Sequence, residues 1–282
     1  EPGQVLLLEN VRFHPEEERN DARFARRLAR LGELYVDDAF ENAHRAHASM
    51  VAITRYLPSY AGLLMEEEVR ELSRVMGRPR RPFVALIGGA KISTKLGLIE
   101  RLLPRVDALL LGGALANTLL AARGLQIGRS LVEPDMMRIA RRLDLTSPKL
   151  KLPLDVVVAR AAVPGAARSR RPVGRVREHE MILDIGPDTV ELYRRVLSSA
   201  RTVVWNGTVG YAELPAFARG TTALAKTIAA IRGRTVVGGG ETIEAITPLK
   251  LASQYGFVSS GGGAMLEFLE GKILPALKPL LR

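Results

Sequence analysis

Four times along this chain an apolar run ends in a cluster of glycines: "ALIGGAK" at 85–91, "LLLGGALA" at 109–116, "TVVGGGET" at 235–242 and "FVSSGGGAM" at 257–265. Glycine loses more conformational freedom on folding than any other residue, so a sequence that repeats it at equivalent places is using it there. Each cluster is followed by a helical pattern of apolar positions, and apolar runs alternating with such patterns predict parallel strands with helical crossovers, an α/β fold. The pattern places strands at Val5–Leu8, Leu34–Val36, Phe83–Ile87, Ala108–Leu111, Lys151–Leu154 continuing into Val156–Val158, Thr202–Trp205, Thr235–Gly238 and Phe257–Ser259. In open parallel sheets ligands bind beyond the carboxyl ends of the strands. Each cluster taken singly is also the ordinary content of a tight turn; the set together suggests a long crevice able to hold a nucleotide.

Composition narrows the chemistry. The 282 residues contain no cysteine and four histidines, which excludes disulfides, thiolate catalysis and cysteine-held metals and leaves little for a histidine-built metal site. No stretch reaches the roughly 20 apolar residues of a membrane span. The opening "EPGQVLLLEN" lacks the basic flank of a signal peptide, and a cytoplasmic location is expected. The net charge of +11 is scattered through "RFARRLARLG", "RIARRLDL" and "RAAVPGAARSRRPVGRVREHE". The first two runs have helical spacing and the third reads as an exposed connection. With no zinc-finger pattern and 5% aromatics, small anions explain that charge without a nucleic acid or a membrane.

Within "LIGGAKISTKLGLIERLL" the helix is expected to begin near Lys91, which puts Lys91 and Lys95 one turn apart on one face, behind Gly88 and Gly89. A phosphate chain along that face meets two ammonium groups and the free N–H groups of a helix start. Two lysines at this spacing are also common on a solvated surface, and the stretch alone leaves both readings open. "WNGTVGYAE" adds Asn206, Gly207 and Glu213 at a further strand end. Near the amino terminus, Arg12 follows an apolar run, and His44, Arg45 and His47 follow another. Guanidinium forks suit phosphate or carboxylate, so Arg12 and Arg45 are candidates to bind a small dianion; helix capping is the alternative.

These stretches, in the order "LLLENVRFHPEEE", "DAFENAHRAHAS", "PFVALIGGAKISTK", "LLLGGALANTLL", "LDIGPDTVELY", "TVVWNGTVGYAE", "VVGGGETI" and "SSGGGAMLEFLEGKILPAL", resemble the phosphoglycerate kinase family over nearly the whole chain. "LPSYAGLLMEEE" resembles its archaeal branch. The resemblance implies two Rossmann-like three-layer αβα domains facing across a cleft, the first one incomplete. It implies reversible phosphoryl transfer between 1,3-bisphosphoglycerate and Mg-ADP, giving 3-phosphoglycerate and Mg-ATP, by a monomer or homodimer. Arg12, His44 and Arg45 match the family's phosphoglycerate ligands, with Arg45 also near the transferring group, and Lys91 and Lys95 match its phosphate-holding lysines. Gly89, Gly112, Gly113, Asn206, Gly207 and Glu213 match the nucleotide site, as do Gly238, Gly239, Gly240, Thr242 and Gly262. Glu241 stands where the family carries an aspartate and becomes the candidate Mg2+ ligand through water.

The resemblance divides the chain into a remainder of the substrate domain at 1–62, an interdomain helix at 63–81, a nucleotide domain at 82–265 and a returning segment at 266–282. The family's R-x-D-x-N-x-P and S-H-x-G-R-P motifs do not occur. The expectation is therefore a truncated chain that binds nucleotide with little or no turnover. Thr208 replaces a proline after "WNG".

Overall fold

The structure, a computed structural model, describes residues 3–281. Contacts divide the chain into two compact units, one running to Arg70 and resuming at Gly271, the other spanning Glu71–Glu270. The division falls inside one long helix, Leu63–Gly77. Its acidic residues come early and Arg74 comes in its last turn, the order that complements the helix dipole; it ends at Gly77, short of the expected 81, with Pro79 and Pro82 just beyond.

The first unit is small. Strands β1 (Tyr35–Asp37) and β2 (Ser59–Ala61) pair in parallel, and the helix Ala22–Ala29 packs Phe24 and Ala25 against Ala48, Ala52 and Ile53. Asp21 caps that helix by accepting from the N–H groups of Arg23 and Phe24. Buried Glu17 ties the next segment in, accepting from Ser49 Oγ at 2.5 Å and from Ser49 N at 2.9 Å. The C-terminal stretch joins this unit through Ala276 N donating to Ala43 O. The strand expected at Val5–Leu8 is absent: among the described residues nothing pairs with that run, and Val5 and Leu7 stand over 90% exposed. An apolar run becomes a strand only where a neighbour takes up its backbone groups.

The second unit carries a six-stranded parallel sheet in the order β11-β10-β9-β3-β4-β5. Its members are β3 (Phe83–Ile87), β4 (Ala108–Leu111), β5 (Leu150–Lys151), β9 (Thr202–Asn206), β10 (Arg234–Gly238) and β11 (Phe257–Ser259). The α/β class with parallel strands is thus the observed one. Central β3 and β9 are buried along their whole length, as strands covered on both faces must be. Trp205, Leu86, Val84 and Tyr193 anchor the core. The chain winds outward from β3 through β4 to β5, then resumes at β9 and winds the other way. The strand order therefore reverses between β3 and β9.

A second, three-stranded antiparallel sheet has the order β7-β6-β8, formed by β6 (Asp155–Ala159), β7 (Arg168–Pro172) and β8 (Met181–Ile185). The expected continuous strand from Lys151 to Val158 is divided between the two sheets. Pro153, which has no N–H to give a ladder, lies at the break. The basic stretch read as an exposed connection contains β7, because Arg170 pairs with Asp155 at 2.6 Å and Arg171 with Glu180 at 2.7 Å. Those ion pairs turn a run of arginines into an edge strand.

Candidate functional site

The reversal between β3 and β9 is where such a sheet opens a crevice. Gly88 N donates to Asn206 O at 2.9 Å and Gly89 N to Thr208 O at 2.7 Å, so the two strand ends are stitched together past the sheet itself. A side chain at Gly207, whose φ is 89°, would strike both Gly88 O and the Lys95 ammonium. Glycine is needed here on two counts, left-handed backbone and close approach.

Lys95 does not lie on a helix face with Lys91. The helix runs Leu96–Leu102 with Lys95 as its N-cap, and residues 91–95 form a turn closed by Lys95 N donating to Ile92 O. Local polar bonds explain the late start. Thr94 Oγ1 donates to Lys91 O, while Ser93 donates through Oγ and N to Glu133, at 2.5 and 3.0 Å. Serine and threonine bonds of this kind compete with helix. The turn leaves Lys91 exposed and Lys95 only 8% exposed, with Nζ donating to Gly88 O at 2.6 Å. Burial lowers the Lys95 pKa to about 8, against the opposing pull of Glu241.

Around this ammonium lies a cleft of about 410 Å³ that brings together Lys91, Lys95, Asn206, Gly207, Gly239 and Gly240 with Glu241, Thr242 and Gly262. Asn206 Nδ2 donates to Gly238 O, and Gly207 N donates to Thr242 Oγ1, which leaves the threonine hydroxyl proton to give. A second cleft of about 360 Å³ shares Ala90 and Glu241 with the first. It contains Gly89, Gly113 and Glu213 and has walls of Leu131, Val156, Ile182 and Val209. Gly112 and Gly238 line neither cleft: a Cβ on Gly112 would meet Val209, and one on Gly238 would meet the Met265 sulfur.

Sequence reasoning gave no role to Asn117, Leu131 or Asp184, all in the second cleft. Asp184 is buried and accepts from Ile185 N and Gly220 N; burial lifts its pKa to about 7 against those bonds. For Asn117 the available signal was an amide in the middle of the apolar helix Gly113–Ala122, where a short polar side chain is unfavourable without a purpose.

In the first unit, Arg12 donates to Asn42 Oδ1 at 2.6 Å, and Arg45 N donates to Asn42 O. His47 has a pKa lowered by burial; Glu17 opposes this, and both Arg12 and Arg45 add to the lowering, so both guanidinium groups lie near it. His44 Nδ1 is buried without a hydrogen-bond partner among the described residues. This is a cationic patch held by Asn42, a residue with no role assigned from sequence.

A buried lysine, glycine-lined strand ends and an adjoining apolar cleft at the switch point of a parallel sheet define an α/β protein of the phosphate-handling, nucleotide-binding kind. The phosphoglycerate kinase family model matches residues 1–272. A phosphoglycerate kinase from Pelotomaculum thermopropionicum is 50% identical across 99% of this chain and 72% of its own length. One from Thermus thermophilus is 51% identical across 99% and 73%. Among solved structures, phosphoglycerate kinase from Coxiella burnetii aligns with a TM-score of 0.90 at 44% identity, covering 99% of this chain and 73% of that one. The enzyme from Pyrococcus horikoshii gives 0.88 at a lower 33% identity, with the same coverage. The chain belongs to the phosphoglycerate kinase family, phosphotransferases acting between ADP or ATP and phosphoglycerate, and it spans about 72% of the length of such relatives. No helix among the described residues is long and apolar enough to cross a membrane.

Proposed function

We propose that the two adjoining clefts of the second unit hold the nucleotide of the phosphoglycerate kinase reaction, and that the buried ammonium of Lys95 is its principal phosphate ligand. The observation that carries this reading is Lys95 itself. A lysine made 8% exposed, bonded only to a carbonyl and shifted down to about pH 8, is a charge held ready for an anion. The diphosphate lies in the 410 Å³ cleft against Lys91, Lys95, Asn206, Gly207, Gly239, Gly240, Thr242 and Gly262. The base enters the apolar cleft beside Gly89 and Gly113, with Glu213 near the ribose. Gly112 and Gly238 act one step back: Gly112 leaves room for Val209, which walls the apolar cleft, and Gly238 leaves room for the buried Met265.

In the forward direction the acyl phosphate of 1,3-bisphosphoglycerate passes its phosphoryl group to the terminal oxygen of ADP. The P–O bond to the carboxylate breaks as the new one forms, and 3-phosphoglycerate leaves. Neither oxygen needs a strong base, so the protein's part is placement and positive charge on the three equatorial oxygens. Lys95 and Lys91 supply that charge from the nucleotide side. Arg12, Arg45 and His44 bind the phosphoglycerate anion, and Arg45 also counters charge on the moving group. The substrate section is residues 1–62, the nucleotide section 82–265, with 63–81 the connecting segment, helical as far as Gly77, and 266–282 a segment belonging with the first; the Ala276–Ala43 bond supports that last assignment.

Mg2+ fits this site in one mode only. Among the described residues no group of three or more histidines or carboxylates could hold a metal. Glu241 Oε2 and Lys95 Nζ both border the space that a Cβ on Gly89 would occupy, at 3.4 and 2.8 Å from it. One carboxylate beside a phosphate path suits an ion that keeps most of its waters and takes its other ligands from phosphate. Glu241 would hold Mg2+ there through water, and the ion would offset the negative charge of the nucleotide's phosphates.

The test is a calorimetric titration of Mg-ADP into the chain and into Lys95→Ala. A charge-assisted contact of about 2–3 kcal/mol predicts roughly 30- to 150-fold weaker binding in the variant. Equal affinity in both would remove Lys95 from the site.

A further inference from the structure

Asn117 stands out among the polar groups of the apolar cleft. It is 2% exposed, on the helix Gly113–Ala122, and lines the cleft with Leu131, Ile182 and Val209. Its Nδ2 donates to Leu131 O at 3.3 Å. A carbonyl can only accept, so this bond fixes which way the amide faces. Among the described residues Oδ1 has no hydrogen-bond partner. An amide oxygen left unpaired in an apolar surround is costly unless something donates to it.

The remaining polar side chains are otherwise placed. Both Asp184 oxygens accept from backbone, at Ile185 N and Gly220 N. Tyr211 and Glu213 are exposed. Glu241 is shared with the phosphate cleft, beside Lys95. Thr208 accepts from Gly89 N through its own carbonyl, and its hydroxyl borders the apolar cleft. On the apolar wall, Asn117 Oδ1 is an amide acceptor that opens on the cleft with no protein partner among the described residues.

We propose that Asn117 is a specificity-determining residue that selects a base bearing an exocyclic amine, adenine in the first instance, by accepting a hydrogen bond from it. The proposal rests on the nucleotide reading of the two clefts. Leu131 O holds the amide in place, so the acceptor is presented without reorganisation. The cleft walls are apolar and will take any flat ring; the one directional contact decides which ring is preferred. A site built to pair with a donor rejects the analogue that lacks it, because the bound ring then shuts the acceptor from water and gives it no bond in return.

The experiment is calorimetry on the whole chain with ADP and with purine riboside 5′-diphosphate, which lacks only the 6-amino group. The wild-type chain is expected to prefer ADP by about tenfold. In Asn117→Leu the preference should fall below about twofold, ADP losing and the deaminated analogue holding or gaining. Asn117→Asp keeps an oxygen acceptor but loses the donor to Leu131 O, so it should bind both ligands more weakly while retaining the preference for ADP. If Asn117 served only to hold Leu131, the variants would weaken both ligands alike and the ratio would stay, overturning the proposal. A wild-type chain that binds both ligands equally overturns it without any variant and leaves the nucleotide reading intact. Binding of neither ligand would remove both readings together.

Discussion

The two units present positive charge in opposite ways. In the second, the cation is buried: Lys95 is fixed by Gly88 O, hemmed by glycines whose side chains would collide with it, and deprived of part of its hydration. In the first, Arg12 and Arg45 are exposed, tied to Asn42 by one side-chain and one backbone bond. A buried charge in a rigid frame is worth more per contact and is little screened, whereas exposed guanidinium groups steer and clasp but lose strength with salt. The comparison teaches that similar positive charge is fixed in a buried frame in one unit and left open to solvent in the other.

The comparison would break first at Gly207. Gly207→Ala puts a methyl group against Gly88 O and Lys95 Nζ at a φ of 89°. It should cost about 3 kcal/mol of stability in denaturant unfolding and lower ADP affinity about 100-fold in calorimetry. Substituting Arg45 with alanine should cost less, about tenfold in 3-phosphoglycerate affinity at low salt. Raising salt from about 0.05 to about 0.5 M should shrink the difference between Arg45→Ala and wild type, whereas the loss in Lys95→Ala should persist. If both losses faded equally with salt, the contrast between buried and exposed charge would be wrong.

Proton linkage sharpens the same contrast. Lys95 titrates near pH 8 in the folded chain, against 10.5 ordinarily. Between those values the unfolded state binds more protons, so this group makes the free protein more stable as pH rises from 8 towards 10.5 and destabilises it below. Phosphate restores the charge. ADP binding at pH 8 should take up about half a proton, and close to none at pH 6, read by calorimetry in buffers of different ionisation enthalpy. The smallest expected effect is at Glu133, which holds the Lys91–Lys95 turn through Ser93. Glu133→Gln should weaken ADP about two- to threefold with little change in stability, and a larger loss would give that turn more weight than Lys95's burial.

The sheet of the second unit was legible because its strands are apolar runs and each but β5 ends where glycine, asparagine or serine interrupts the run. The 410 Å³ cleft was legible for the same reason, since several of those endings line it. The start of the Lys95 helix was not, because Glu133 lies forty residues from Ser93 and only the fold brings it there. Strand β7 was hidden because its arginines look solvated until Asp155 and Glu180 are placed beside them. Val5–Leu8 shows the reverse failure: periodicity names a strand, but pairing makes one. Asn117 and Asp184 sat inside recognisable stretches, and their burial against a cleft is a property of packing that no local pattern carries.

The most direct test of the account is a crystal structure of the chain soaked with Mg-ADP. The account predicts the diphosphate within hydrogen-bond distance of Lys95 Nζ at the β3 and β9 ends, with the base between Val209 and Ile182. A diphosphate bound elsewhere, with Lys95 still bonded to Gly88 O alone, would contradict it.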